Sequence, residues 1–259
     1  MISEIRSLLI ISKYTFFEVL KSKILINVFF LGIGLLFFSY AATEFSYGAA
    51  KKIAMDFGLG ALSFSSIGIA IFIGVNIVNK EIESRTIYLA LSQPITRSSF
   101  LIGRLLGMSL LLLLNILILA LMTLFTYFIL GGQLNPLVLW CVVFAFLEAV
   151  VVLNIVVLFS LITNITMSVV YTILLYMIGQ SITDVIALTD VPNRKGLHIL
   201  TKAIATFIPD FSKLNIKQFV LYQQNLETTY LLNALFYSIM VIVILIFFSS
   251  LIFHKKELD

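Results

Sequence analysis

The sequence predicts an all-α integral membrane protein with six transmembrane helices, an N-terminal interfacial helix and a short cytoplasmic helix. Hydrophobic residues make up 61% of the 259 positions and charged residues only 12%, whereas soluble domains average about 25% charged residues. Several apolar segments reach the length of about 20 residues that a membrane-spanning helix needs. Alternating strands of about ten residues, typical of a membrane barrel, are absent from the sequence. One transmembrane domain over residues 1–259 is therefore expected.

The N-terminal segment is amphipathic at helical spacing. Its predicted apolar side carries Ile5, Leu8, Leu9, Ser12, Phe16 and Leu20. Basic residues lie elsewhere around the same helix, at Arg6, Lys13 and Lys21. This pattern is typical of a helix that lies flat in the membrane interface.

Six apolar runs are the candidate spans. In chain order they cover residues 24–42, 59–78, 101–130, 137–162, 165–187 and 230–253. Only Thr163 and Asn164 separate the fourth span from the fifth, so these two are expected to form a tight helical hairpin. The amphipathic stretch 192–229 is expected to form short helices at the outer surface, interrupted at Pro209.

The distribution of Lys and Arg predicts the orientation, because short cytoplasmic loops are enriched in both. Basic residues precede the first span, separate the second from the third and follow the sixth, at Arg6, Lys13, Lys21, Lys23, Lys80, Arg85, Arg97, Arg104, Lys255 and Lys256. The opposite side holds Lys51 and Lys52 and five basic residues in the long stretch 188–229. Long loops cross the membrane largely regardless of charge, so both termini are expected in the cytoplasm.

A polar passage interrupts the apolar chain between the second and third spans. A helix over residues 81–92 would place Glu81 and Arg85 four residues apart, as a pair worth about 0.2–0.5 kcal/mol. Pro94 disfavours helical backbone at the residue before it and should end this helix. The simplest interpretation is a solvated connection, and the alternative is a helix that offers its charged face to a cytosolic partner.

The run "KEIESRTIYLALSQPITRSSFLIGRLLG" resembles the loop between the second and third spans of type 2 (exporter-like) ABC transporter permeases. The combination resembles the six-span subgroup that includes the permease for copper-enzyme maturation in nitrous oxide reduction. The segments "IPDFSKLNI" and "FHKKELD" and the six-span layout extend the resemblance over most of the chain.

This resemblance implies that the loop is a coupling helix seated in a groove of a separate ATP-binding cassette ATPase subunit. Glu81, Glu83, Arg85 and Thr86 would then face that subunit. It also implies export across a bacterial or archaeal cytoplasmic membrane and pairing with a second copy or a similar permease. An extracytoplasmic accessory protein is a further partner that the resemblance allows.

This chain lacks the residues for ATP hydrolysis. No G-x-x-x-x-G-K-[ST] motif occurs, and the glycine-bearing "FGLGALSFSSIG" lacks the lysine and lies in a predicted span. ATP and Mg are therefore expected in the partner ATPase, and no cofactor in this chain. No metal site is expected either, since Cys141 is the only cysteine and the two histidines fall on opposite sides of the membrane. No dense Lys/Arg block points to nucleic acid.

Glu148 is the main functional candidate within the bilayer, because an ionisable group there costs at least about 2.5 kcal/mol. It could line a translocation path, or be a structural carboxyl bonded to Asn115 or Asn154. Those two asparagines are expected to link helices. Asp184 is expected to be an exposed carboxylate at the end of the fifth span. Small residues spaced four apart predict close helix packing, at Ser66, Ala70, Gly74, Gly103 and Gly107.

Two other functions fit the same sequence. A scaffold or assembly factor would dock a cytosolic partner but transport nothing. An intramembrane enzyme would act through Glu148, although no known catalytic constellation accompanies this residue. The cargo stays open, because an apolar cavity with one carboxyl suits lipids, peptides, drugs or metal-linked sulfur species.

Overall fold

A computed structural model defines the architecture of most of the chain. It describes residues 2–21, 30, 32–34, 37–38, 40–41, 50–83, 96–133, 135–189, 205–206, 208–222, 224 and 226–255. Most of the predicted first span, 24–42, falls outside these residues, as does most of the predicted helix 81–92. The positions described between 30 and 41 are helical.

The described part of the chain is helical and contains no strand. The helices are α1 (Ile2–Leu20), α2 (Ala50–Glu83), α3 (Arg97–Ile129), α4 (Leu137–Ile162), α5 (Ile165–Thr189), a 3₁₀ helix (Phe211–Leu214), α6 (Lys217–Leu221) and α7 (Thr228–Lys255). Helices satisfy every backbone polar group internally, which the hydrocarbon of a bilayer demands.

Five described helices are long and apolar enough to cross a membrane, namely α2, α3, α4, α5 and α7. They confirm the second to sixth predicted spans in place and order. The largest difference is α2, which begins at Ala50 instead of residue 59 and continues to Glu83. The charges of Lys51 and Lys52 lowered the hydropathy of its first turns, so hydropathy did not indicate its true start.

The turns between helices follow from local sequence. Gly131 has a φ of 77° and ends α3. Its N–H donates to the carbonyl of Phe128, and the N–H of Gly132 donates to that of Tyr127. This is the Schellman pattern, which favours glycine at the left-handed position. The predicted α4–α5 hairpin is confirmed, since only Thr163 and Asn164 separate those helices.

Helix α4 is the centre of the bundle and contacts α2, α3, α5 and α7. Gly74 on α2 allows close packing there, because a Cβ at Gly74 would collide with Val156 and come within 3.1 Å of Leu153 on α4. Ser66 and Ala70 on the same helix are fully buried. The predicted small-residue seam therefore packs inside the protomer. Helices α5 and α7 expose most of their apolar side chains, as lipid-facing helices do.

Helix α1 packs along the first turns of α3. A Cβ at Gly103 would lie 2.9 Å from Ile11, and one at Gly107 would lie 2.6 Å from the carbonyl oxygen of Ser12. The second predicted glycine seam is thus confirmed as a packing contact. Leu9, predicted on the apolar side of α1, is instead 64% exposed. Relative to the predicted apolar side, the buried side of α1 is shifted toward Thr15 and Val19, which are both buried. The shift brings Thr15 into contact with Gly107 of α3.

The bundle has two ends that the following sections distinguish. The loop end is the end where α2 stops at Glu83, α3 starts at Arg97 and α7 stops at Lys255. The cap end is the opposite end, where the short helices between α5 and α7 pack. The cap segment is residues 208–214, which include the 3₁₀ helix. The predicted short helices of 192–229 are confirmed at 211–214 and 217–221.

Candidate functional site

The predicted coupling residues fall at the loop end. Glu81 and Glu83 belong to the last turn of α2, which runs through these positions without a break. The expectation of a separate helix starting at Glu81 therefore differs from the observed course of the backbone. Arg85 and Thr86 lie outside the described residues.

Helix α3 begins with a capped first turn at the loop end. The Thr96 hydroxyl accepts a hydrogen bond from the backbone N–H of Ser99 at 3.2 Å, which is the N-cap arrangement. Arg97, the first residue of α3, donates through Nη1 to the backbone carbonyl of His254 at 3.2 Å. The Ser250 hydroxyl donates to Ser98 at 2.8 Å. Two hydrogen bonds thus join the start of α3 to the end of α7.

The same turns of α3 are fastened to α1 by an ion pair. Arg104 Nη1 lies 2.6 Å from Glu18 Oε2 and 3.3 Å from the Thr15 hydroxyl. Arg104 is one of the basic residues that predict the cytoplasmic side, and its pairing with Glu18 was not anticipated from the sequence. One aromatic contact adds to this end, where the rings of Phe100 and Phe253 stack with centroids 6.5 Å apart.

A second polar group surrounds Glu148 inside the bundle. Glu148 on α4 is 4% exposed. Its Oε1 accepts a hydrogen bond from the Tyr176 hydroxyl at 2.9 Å and another from Gln180 Nε2 at 2.5 Å. Gln180 Nε2 also lies 2.9 Å from the Tyr176 oxygen, which closes a triangle. We call Glu148, Tyr176 and Gln180 the Glu148 cluster.

The donors of this cluster come from α5 and not from the asparagines named as alternatives. Tyr176 and Gln180 lie one helical turn apart on α5 and therefore share a face. Sequence reasoning overlooked both, although polar residues at this spacing in an apolar helix were the available signal.

The two asparagines have different surroundings. Asn154 Nδ2 donates to the Val150 carbonyl of its own helix at 2.8 Å, while its Oδ1 is buried and has no hydrogen-bond partner within the part of the chain that the structure describes. Asn115 is fully buried, and neither amide atom has a partner among the described residues. The expected role of both as links between helices therefore has no support from the hydrogen bonds of the described chain.

The cap segment lies against the Glu148 cluster. The Phe211 ring meets the Tyr176 ring edge-on, with centroids 5.1 Å apart. Gly179 on α5 makes room, since a Cβ there would collide with the Pro209 carbonyl and lie 2.6 Å from Phe211. Asp184, further along α5, is exposed as predicted.

Polar contacts hold the cap segment to α5 and α7. The Asp210 N–H donates to the Tyr237 hydroxyl of α7 at 2.8 Å. On the α5 side, the Thr183 hydroxyl forms a short hydrogen bond with Ser212. Asp210 also accepts from the Ser212 hydroxyl at 2.5 Å and pairs with Lys213 at 3.4 Å. The segment therefore bridges two helices that both pack on α4.

The described residues offer no group of three side chains suited to a metal ion. Cys141 is buried and free within α4. Glu148 is a buried carboxyl in a membrane-spanning helix with two neutral hydrogen-bond donors, and an ionisable residue at such a place is a functional candidate.

Together these features define a multi-pass helical membrane protein. It has a buried polar cluster, and at its loop end α3 is bonded to α1 and α7. Residues 10–258 match the family model described as ABC-2 family transporter protein. Because this match covers nearly the whole chain, the protein belongs to that family and is a membrane component of an ABC transporter. A search of the curated proteins found no match.

Family membership also bears on partners. ABC-2 membrane components work with an ABC ATPase subunit, so the family implies such a partner for this chain. It also agrees with a role in transport rather than with an enzyme activity of the chain's own.

Proposed function

We propose that the chain is a permease subunit that couples ATP hydrolysis in a separate ATPase subunit to export of a substrate. The observation that carries this proposal is at the loop end. There α2 ends at Glu83 and α3 begins at Arg97, and the first turns of α3 are joined to α7 by a hydrogen bond and to α1 by an ion pair. A partner that moves residues 84–95 would therefore act on several spans at once.

The length of α2 favours a projecting attachment. Its 34 residues extend roughly 50 Å at the rise of an α-helix, whereas a hydrocarbon core is about 30 Å thick. The residues beyond the apolar part, which include Lys80, Glu81 and Glu83, would then stand outside the bilayer. Charged residues on a projecting helix end suit a soluble partner.

The contacts of α3 supply a route for the motion. The ion pair between Arg104 and Glu18 would carry a displacement of α3 to α1. The hydrogen bond from Arg97 and the Phe100–Phe253 stack would carry it to α7. A tilt of α3 thus changes the packing of the helices around α4, which holds Glu148.

The finer parts of the proposal rest on the sequence resemblance. We infer that Glu81, Glu83, Arg85 and Thr86 face the ATPase, which would bind ATP and Mg, and that both termini are cytoplasmic. A six-span protomer of the subgroup named above would pair with a second copy or a similar permease. Glu148, Asn115 and Asn154 would lie on or beside the translocation path, where buried polar atoms could meet the cargo.

The test measures the ATPase activity of the complex in lipid nanodiscs. Glu81→Lys and Arg85→Glu should abolish the stimulation of the co-purified ATPase by the permease while membrane insertion stays normal. Lys51→Glu is the control, since it reverses an exposed charge at the cap end. Normal stimulation in the first two variants would refute the coupling assignment. Stable association without any ATP-dependent change would favour the scaffold function.

A further inference from the structure

A small cavity lies at the cap end, between the first turns of α2, the last turns of α3, the start of α4 and the short helix α6. Its volume is about 70 Å³. One buried water molecule needs about 10–15 Å³, so the cavity has room for a group of several atoms. Apolar side chains form part of its wall, among them Met55, Val138 and Val220. Three polar side chains also line it, namely Lys52, Tyr127 and Asn135.

Tyr127 is the most buried of these three polar residues, with 9% of its surface exposed. Gly132 allows the ring to lie there, since a Cβ at that position would collide with it. The Tyr127 hydroxyl has no hydrogen-bond partner among the described residues. Buried hydroxyl groups in native proteins nearly always have a partner. An oxygen atom of a ligand in the cavity would supply one.

Lys52 brings a positive charge to the cavity. Its Nζ lies 3.7 Å from the centroid of the Tyr222 ring, which is a cation–π contact. This contact holds the ammonium group in place but does not neutralise it, because the ring has no net charge. None of the described residues that line the cavity is acidic. The charge of Lys52 is therefore left to attract an anion.

Asn135 adds a third hydrogen-bond donor. Its Oδ1 accepts a hydrogen bond from the backbone N–H of Leu137 at 3.0 Å. The remaining Nδ2 group can only donate. Lys52, Tyr127 and Asn135 thus offer N–H or O–H groups to one small space, and one of the three is a cation. Such a set of donors suits the oxygens of a phosphate group, which accept hydrogen bonds and carry negative charge.

The position of the cavity favours a membrane lipid as the source of the phosphate. The lining residues of α2, α3 and α4 lie at the ends of helices that are long enough to cross a membrane, which is the level of the lipid headgroups. Trp140 and Tyr222 are close by in the chain, and these residue types are enriched at membrane interfaces. Exposed apolar side chains near the same helix ends, at Ile129 and Leu139, offer contacts to acyl chains.

We propose that this cavity binds the phosphate group of an anionic membrane lipid through Lys52, Tyr127 and Asn135. The bound headgroup would contact the ends of α2, α3 and α4 together and so stabilise their packing at the cap end. None of the residues of the Glu148 cluster lines the cavity. The lipid site is independent of the proposed transport function and can be measured without cargo, ATP or the ATPase.

The test is a lipid titration of the whole chain in a neutral detergent, followed by native mass spectrometry. The probe is dioctanoyl phosphatidylglycerol, and dioctanoyl phosphatidylcholine is the comparison lipid with no net charge. The first phosphatidylglycerol should bind in a saturable manner and more tightly than phosphatidylcholine. Equal affinity for the two lipids would contradict a site for an anionic lipid.

Two variants remove one donor each. Lys52→Gln removes the charge, and Tyr127→Phe removes the hydroxyl but keeps the ring. Each should weaken the binding of the first phosphatidylglycerol about tenfold, as the loss of one hydrogen bond to a charged group does. Lys52 is exposed, so Lys52→Gln decides the question if Tyr127→Phe fails to fold. Unchanged affinity in the folded Lys52→Gln protein would overturn the proposal.

Lys51→Gln is the matched control. Lys51 is the preceding residue and is also exposed at the cap end, but it does not line the cavity. Its substitution should change the affinity by less than about twofold, because salt screens an exposed charge outside the site. Equal losses in Lys51→Gln and Lys52→Gln would mean that lipid is attracted by the charge of the cap end in general, which would overturn the site.

Inorganic phosphate distinguishes a lipid headgroup from a free anion. Added in excess, it should not displace phosphatidylglycerol, because the lipid also gains apolar contacts that the ion lacks. Displacement of the lipid by inorganic phosphate would show that the cavity is a site for a small free anion, and the lipid assignment would then be wrong.

Discussion

Arg104 on α3 and Glu18 on α1 form an ion pair with a separation of 2.6 Å between Nη1 and Oε2. The pair lies beside Gly103 and Gly107, where an added Cβ would meet α1 within 3 Å. Helix α1 is therefore joined to the membrane bundle by both packing and charge. The predicted interfacial helix is fixed to α3, and its position flat on the cytoplasmic leaflet stays a prediction.

Loss of this ion pair should loosen α1 without unfolding the bundle. Glu18 is half exposed, so the coupling energy in a double-mutant cycle of Glu18→Ala and Arg104→Ala should be at most about 1 kcal/mol. Thermal unfolding of the four proteins in nanodiscs measures it. Additive effects of the two substitutions would show that the pair contributes nothing.

The close approach of α1 to α3 predicts a strong effect of a small substitution. Gly107→Ala would place a Cβ 2.6 Å from the Ser12 carbonyl and from Thr15, both on a rigid helix. The protein should lose stability by about 1–3 kcal/mol, the range for overpacked sites. A lowered midpoint of thermal unfolding checks this.

Gly68→Ala is the control for that prediction. Gly68 also lies within a long helix, but among the described residues no heavy atom beyond its own helix and chain neighbours comes within 4 Å of an added Cβ. The substitution should leave the unfolding midpoint unchanged or raise it. Equal losses at positions 68 and 107 would contradict the packing described for α1.

We expect the Glu148 side-chain oxygen that accepts the two hydrogen bonds of the cluster to contribute to the stability of the protein. Glu148→Leu would leave the Tyr176 hydroxyl and the Gln180 amide without their acceptor, at a cost of about 1–3 kcal/mol for a buried unsatisfied group. Glu148→Gln keeps a carbonyl oxygen in place and should retain most of the stability. Equal stability of the two variants would show that these hydrogen bonds are unimportant. Transport by the folded Glu148→Gln protein then tests the carboxyl itself.

For Asn115 we expect a substitution that raises stability and lowers transport. Its amide is buried with no hydrogen-bond partner among the described residues, which is unfavourable by about 1–3 kcal/mol. Asn115→Leu should therefore raise the unfolding midpoint. If the asparagine meets cargo or another helix during transport, the same variant should lower the ATP-dependent transport rate. A destabilised Asn115→Leu protein would show that the amide already has a partner.

The second to sixth spans were predictable from the sequence because hydropathy and length determine them. The contacts of Glu148 were not, for a physical reason. Helix α4 is apolar around its whole circumference, so no periodicity indicates which side of it meets α5. Pairing with Tyr176 instead of Asn115 depends on that rotation. Gly179 could have pointed to the cap segment, but only packing shows which backbone approaches it.

The coupling assignment depends on residues 84–95, which connect Glu83 at the end of α2 to Thr96 at the start of α3. The most direct measurement places a photoreactive amino acid at Arg85 or Thr86 and identifies what it cross-links in native membranes. The account predicts a covalent product with the ATPase subunit, at a yield that changes when ATP is added, and no product from the same probe at Lys51. Cross-links from Arg85 and Thr86 to lipid or to proteins outside the cytoplasm, with the ATPase bound, would contradict it.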